Sequence, residues 1–168
     1  YKRVLAIPTL RKLLNIDPLL TEYCKKMGWK GAEKGVYVPD TGAYTPYPHI
    51  ENPRALLGVP EGKFLLVNYG ALTPRKGVAE MIEALGRPDC PSDVIGLIAG
   101  RSDAGAKDAL VGPTAQRLVA EGRLVIHDRF MTEEEEAAAF QACDLAWLGY
   151  IWFYGMSSVL IHSGSVHK

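Results

Sequence analysis

The sequence predicts a doubly wound α/β fold, a parallel sheet with helices on both faces. Two observations carry this. "KFLLVNYG" (63–70) and "DVIGLIAG" (93–100) are continuous apolar runs that end in glycine, the pattern of parallel strands covered on both sides, and "RLVIHDRF" (123–130) and "LAWLGY" (145–150) repeat it. A helical stretch separates each run from the next. Strand, helix and strand in this rhythm imply right-handed crossovers, with ligands expected beyond the carboxyl ends of the strands.

The elements follow in order. The chain opens on a short apolar run, "RVLAIPT" (3–9). "LRKLLNIDPLLTEYCKKMG" comes next, with leucines at helical spacing and Pro18 set to break or kink the helix. "GVYVPD" reads as a small strand and "PRALLGV" as a helical turn. Beyond the strand at 63–70, helices are predicted over Gly77–Leu85, about 106–121, and Thr132–Ala142. Thr132 is placed to cap the last of these, and Glu135, three positions on, to reach back to it. A final helix is expected at about 156–166. There is no internal repeat and no low-complexity linker.

Composition bounds the function. The 168 residues are 48% hydrophobic, enough for one globular domain with a real core. Lys plus Arg and Asp plus Glu both number 19, so no global basic field gathers nucleic acid or anionic lipid, and any anion site must be local. Cys24, Cys90 and Cys143 are widely spaced and lack metal-ligand pairing. They fit buried thiols in a reducing compartment, so a cytoplasmic protein is expected. No apolar run approaches the ~20 residues of a membrane span. The chain starts at Tyr1 and ends on "SGSVHK", within what reads as an α/β unit, so a piece of a longer protein is expected.

Such a sheet needs a phosphate-binding device to act on nucleotides. The G-x-G-x-x-G fingerprint is absent, and "GVPEGKF" (58–64) is not spaced as a Walker loop. "NYGALTPRKGV" (68–78) remains. Gly70 lets a ligand approach the backbone, and Thr73 and Pro74 suit the cap and first position of a helix that begins within "TPRKG". Its N–H groups would face the crevice, while Arg75 offers a planar fork of donors and Lys76 a mobile charge. On spacing alone, an exposed basic pair at an ordinary helix start explains the same residues, because adjacent basic residues are common on surfaces.

The wider order of motifs bears on that choice. "VYVPDTGAY", "RALLGVPEGKFLLVNYGALTPRKGVAEMIEAL", "VIGLIAGRSD" and "RLVIHDRFMTEEEEAAAFQACDLAWLGY" together resemble the carboxyl-terminal domain of the group 1 (family 4) retaining glycosyltransferases. The resemblance runs from about Val36 to the end. It implies a Rossmann-like domain, the carboxyl-terminal half of a GT-B enzyme, incomplete here. Residues 1–34 would be the tail of the amino-terminal domain and a linker. Residues 35–168 would be the nucleotide-sugar-binding domain, truncated at its end. The implied activity is hexosyl transfer from a nucleotide diphosphate sugar to an acceptor the sequence does not identify, with no cofactor and no metal. An amino-terminal domain is expected upstream, and the chain by itself is expected to be inactive.

Carried over by position, Arg75 and Lys76 match the pair that grips the donor diphosphate, and Gly70 and Ala71 the close-approach turn before it. Gly155, Met156 and Ser157 resemble the glycine-led helix start that faces the phosphates. Gly100 and Arg101 fall beside the nucleotide, and Arg129, Phe130 and Met131 where the base is contacted. Family members carry two glutamates separated by seven residues after the fourth strand; this chain has none after Glu136. Tyr154, in the donor sugar region, and His162, near the ribose, take those places. A neutral imidazole offers one donor and one acceptor where a carboxylate accepts two hydroxyls. A non-catalytic nucleotide- or sugar-phosphate-binding module is therefore the alternative.

Other conspicuous residues have plainer readings. The Glu133–Glu136 run is a solvated helix start favoured by the dipole. His127 is a core or rim histidine, Asp128 and Arg129 pair with each other or face solvent, and Asp103 and Asp108 are caps. "YIWFY" (150–154) either stacks a ring or packs in the interior.

Overall fold

Asp17 and Pro18 divide the leucine-rich stretch near the amino terminus into two elements. The computed structural model describes residues 1–38, 47–151 and 157–166. It begins with a helix α1 (Lys2–Leu5), a strand β1 (Leu13–Asn15) and a helix α2 (Pro18–Lys26). The Asp17 carboxylate accepts the Leu19 and Leu20 N–H groups at 2.9 and 3.2 Å. Pro18 takes the first helical position, where its missing N–H costs nothing. Leu13 and Leu14 are thus extended rather than helical, and β1 pairs in parallel with β2 (Gly35–Tyr37). The apolar run at 3–9 is not extended, since its first residues form α1. Leu5, Cys24 and Ala32 form the core of this part.

The described residues fall into two compact units, 1–38 with 157–158, and 47–151 with 159–166. The segment 35–38 falls in the first of these units, where β2 pairs with β1.

The larger unit is a Rossmann-like α/β fold. Its strands β3 (Phe64–Tyr69), β4 (Val94–Ala99), β5 (Leu124–His127) and β6 (Leu145–Ala146) are all parallel and lie in the order β5-β4-β3-β6. From β3 the chain winds outward to β4 and β5, then returns across the sheet to β6. The helices are α3 (Pro53–Leu56), α4 (Val78–Gly86), α5 (Ala104–Val111), α6 (Pro113–Ala120), α7 (Glu133–Ala142) and α8 (Ser158–Ser165).

Alternate side chains of each strand enter opposite layers. Leu65, Val67, Ile95 and Leu97 pack with Ala138, Ala139 and Ala142 of α7. Leu66 and Ile98 pack with Met81 and Leu85 of α4, Ala106 of α5 and Leu118 of α6. This explains runs without polar interruption. Burying a side chain such as Leu97 contributes about 1.5–3 kcal/mol. The alanines of α7 have no bulk to hold the helix away, so it lies close against the strands.

Three elements depart from expectation. The stretch 106–121 is two helices, because Pro113 has no N–H to continue α5 and starts α6 after Gly112. The fourth strand covers two residues rather than 145–150. Trp147 still donates its backbone N–H to Val67, but its indole Nε1 turns to the Gly77 carbonyl at 2.9 Å and the chain leaves the sheet. The segment "TPRKG" is not the start of an α-helix. Pro74–Lys76 form one 3-10 turn, Thr73 makes no side-chain cap bond, and α4 begins at Val78 after Gly77. The capping box of α7 is present as read, with Thr132 Oγ1 accepting the Glu135 N–H and Glu135 accepting that of Thr132.

Gly77 joins turn to helix in the left-handed region, φ 67°, and a Cβ there would lie 2.2 Å from the Gly149 carbonyl oxygen. Gly77→Ala is expected to cost more than about 2 kcal/mol, through backbone strain and the clash together. Urea unfolding measures it as a lower midpoint at unchanged slope. An unchanged midpoint would show that this contact does not matter to folding.

Candidate functional site

The glycines that end β3 and β4 meet. Gly70 has φ 106° and Gly100 φ 143°, and a Cβ on Gly100 would lie 1.8 Å from the Gly70 carbonyl oxygen. Only hydrogen fits between these backbones. The ladder nevertheless continues past them: Leu72 N–H donates to Arg101 O at 3.0 Å and Asp103 N–H to Leu72 O at 2.9 Å. The strand ends thereby make a floor without side chains, and above it opens a crevice of about 460 Å³.

Six of the expected site residues line this crevice: Gly70, Ala71, Gly100, Arg101, Phe130 and Met131. The Arg101 guanidinium lies 5.2 Å from the Phe130 ring centre, with Phe130 itself 75% exposed. Together they offer a planar cation and an open aromatic face at one rim. Lys76 stands at the edge of the floor. Its Nζ would be 3.6 Å from a Cβ on Gly70, donates to Tyr150 Oη at 3.0 Å, and sits 4.7 Å from the Tyr150 ring centre. A Cβ on Gly70 would also lie 3.8 Å from Val159, so the first turn of α8 approaches the same floor.

Other expected residues are elsewhere. Arg75 is exposed on the 3-10 turn and is not part of the crevice wall. Arg129 is engaged by Glu135, its Nη1 donating to Glu135 Oε2 at 2.8 Å, so its fork is already taken. Asp128 does not pair with Arg129, its neighbour. It accepts the Ser102 N–H and hydroxyl at 2.7 and 2.8 Å, and these bonds hold its pKa below the usual carboxylate range. Ser157 directly precedes α8 and is buried. Tyr154, Gly155 and Met156, like Trp152 and Phe153 of the aromatic cluster, lie outside the described residues.

His162 does not stand alone. Its Nδ1 is 3.3 Å from Glu136 Oε1 and hydrogen-bonded to the Tyr47 hydroxyl. The run 133–136 predicts a solvated helix start, but of these only Glu133 and Glu134 are exposed. Glu136 lines the crevice and accepts the Tyr47 hydroxyl at 2.9 Å. The Tyr69 hydroxyl, also on the wall, has its pKa pushed well up, first by burial and then by the Glu136 charge and hydrogen bond. The available signal was Phe140, one turn along α7, whose apolar face carries Glu136 inward. Thr73, too, lines the crevice, with a buried Oγ1 that has no hydrogen-bond partner.

The plainer readings fare mixedly. His127 Nε2 bonds the Leu57 carbonyl at 2.9 Å, a satisfied rim histidine. Asp103 caps α5 through Ala106 N–H at 2.9 Å, whereas Asp108 lies inside that helix and caps nothing. Among the described residues no group of His, Cys, Asp and Glu is arranged to hold a metal ion. None of their helices is long and apolar enough to cross a membrane. The crevice therefore offers two cations, an open ring, a glycine floor and one anchored carboxylate. That set suits a ligand with a compact anionic part, a planar part and hydroxyl groups.

No protein-family model matches the chain, and no curated protein matches it in sequence. Its likeness is to solved structures. HepE of Anabaena, in complex with UDP-glucose, shares 20% identity at TM-score 0.78, over 99% of this chain and 46% of that one. Sucrose-phosphate synthase of Thermosynechococcus elongatus shares 16% at TM-score 0.74, over 98% and 40%. A glycosyltransferase of Rickettsia africae shares 15% at TM-score 0.73, over 99% and 46%. At such identities the likeness is one of fold, and the chain spans less than half the length of each.

The Arg129–Glu135 pair has a pH signature. Arg129 holds the Glu135 carboxyl down to about 2 from an ordinary 4.5, with help from the Thr132 N–H. A depressed folded-state pKa contributes stability above the unfolded value and loses it as pH falls through the folded one. Acid unfolding of the parent is expected to include a loss between pH 4.5 and about 2 that Glu135→Gln lacks. Stability measured across that window decides it, and identical slopes in both proteins would refute the pairing.

Proposed function

We propose that this chain is the donor-binding domain of a GT-B glycosyltransferase of the group 1 (family 4) retaining class. In this reading it holds a nucleotide diphosphate sugar from which a hexosyl group passes to an acceptor. The observation that carries the proposal is the glycine-floored crevice beyond the strand ends, with Lys76 at its edge, on a fold shared with a protein solved with UDP-glucose. Residues 1–34 are then the tail of a preceding amino-terminal domain, and acceptor binding belongs to that domain. A cytoplasmic setting, drawn from the three spaced cysteines, goes with the same reading.

Within it, Gly70 and Ala71 admit the diphosphate to the backbone, Lys76 meets its charge at the floor, and Arg75, exposed on the adjoining turn, adds its own positive charge from the solvent side. By the same resemblance, Gly155, Met156 and Ser157 belong with the residues that face the phosphates. Gly100, Arg101, Phe130 and Met131 border the nucleotide, with Arg129 tying the loop that carries Phe130 to α7 through Glu135. Tyr154 falls near the donor sugar and His162 near the ribose. Departure of a nucleoside diphosphate builds negative charge on its oxygens, and fixed cations stabilise that charge more in the transition state than in the ground state. Metal ions and cofactors have no step in this scheme.

Titration calorimetry with UDP, GDP and ADP tests the site. At least one is expected to bind. Lys76→Ala is expected to weaken it by about 1.5–3 kcal/mol, the range of a charge-assisted hydrogen bond, and Arg75→Ala by less. Absence of binding by all three, or full binding by both variants, would overturn the donor-site reading.

A further inference from the structure

The crevice wall holds two carboxylates with different fates. Asp103 is committed to its own helix, accepting the Ala106 N–H at 2.9 Å. Glu136 is anchored from behind instead. Its Oε1 accepts the Tyr47 hydroxyl at 2.9 Å and lies 3.3 Å from His162 Nδ1, and the carboxylate also accepts the Tyr69 hydroxyl. Both partners pack on the buried Phe140 ring, Tyr47 stacked at 5.7 Å and His162 edge-on at 5.6 Å, while Tyr69 tilts against it at 5.2 Å. An aromatic cluster thus fixes the side chain, which remains 28% exposed and borders the cavity. A carboxylate held this way repels phosphate oxygens. Of its four lone-pair sites, those not taken by Tyr47, Tyr69 and His162 can accept a further O–H donor.

We infer that Glu136, carried by α7, recognises the vicinal ribose hydroxyls of the bound nucleotide, with Tyr47 and His162 as its positioning residues. This rests on the donor-site reading and adds an orientation to it. The diphosphate lies at the Lys76 and Gly70 end of the floor, and the hydroxylated, uncharged part of the ligand lies against α7. His162 thereby acts on the hydroxyls through the carboxylate it touches.

Calorimetry of UDP, GDP and ADP against their 2′,3′-dideoxy counterparts isolates the hydroxyl contribution. The parent is expected to favour the hydroxylated form by about tenfold or more, as hydrogen bonds to a charged acceptor allow. Glu136→Gln is expected to lose most of that preference while binding the dideoxy form as the parent does. Tyr47→Phe, which keeps the ring stack, is expected to lose part of it. Equal affinity of the parent for both forms, or an undiminished preference in Glu136→Gln, would overturn the inference and leave the donor site standing. Failure of every nucleotide to bind the parent would remove both. Should Glu136→Gln not fold, an undiminished preference in Tyr47→Phe is the refuting result.

Discussion

The contact between the Gly100 backbone and the Gly70 carbonyl fixes what lies above it. Two parallel strands normally end with side chains that fill the space beyond them. Here that space is open because neither terminal residue has a Cβ, and at position 100 none would fit, with the oxygen 1.8 Å away. The crevice, the path of the chain from Ala71 to Thr73, and the stance of Lys76 over Gly70 all depend on that omission. The ladder resumes at Leu72 and Arg101. The opening is therefore a gap in side chains rather than in the sheet.

Charge around the floor is divided rather than pooled. Lys76 stands at the edge of the floor beside Gly70, Arg101 and Glu136 line the wall, and the chain as a whole is neutral. A global basic field would draw any polyanion. A divided rim selects for a ligand that is anionic at one end only. By position Arg129 belongs with the expected site cations, but its bond to Glu135 makes it a brace for the loop bearing Phe130.

The strands were legible in the sequence because covering a sheet on both faces leaves no place for polar residues, so 64–69 and 94–99 read as unbroken apolar runs. The capping box at Thr132 was legible because it is a local pairing three residues apart. Features that depend on contacts between distant segments were not. Leu13 and Leu14 match a helix until β2 is there to pair with them. The 3-10 turn at Pro74–Lys76 follows from how Gly77 must pass Gly149, 72 positions further on by number. Glu136 looked solvated within a run of four glutamates, because its inward direction is set by the helix phase that buries Phe140. The basic pair at 75–76 was found by pattern, yet the fold separates its members, leaving Arg75 exposed while Lys76 leans on the floor.

The sheet also separates the core into two layers. One holds Leu66, Ile98 and the helices α4 to α6, and the other holds Leu65, Val67, Leu97 and α7. Substitutions on opposite sides share few partners, so their effects tend to add rather than compound. A lineage can then rework the α7 side without disturbing the α4 side. The same frame is met in proteins that share only 15–20% of its residues.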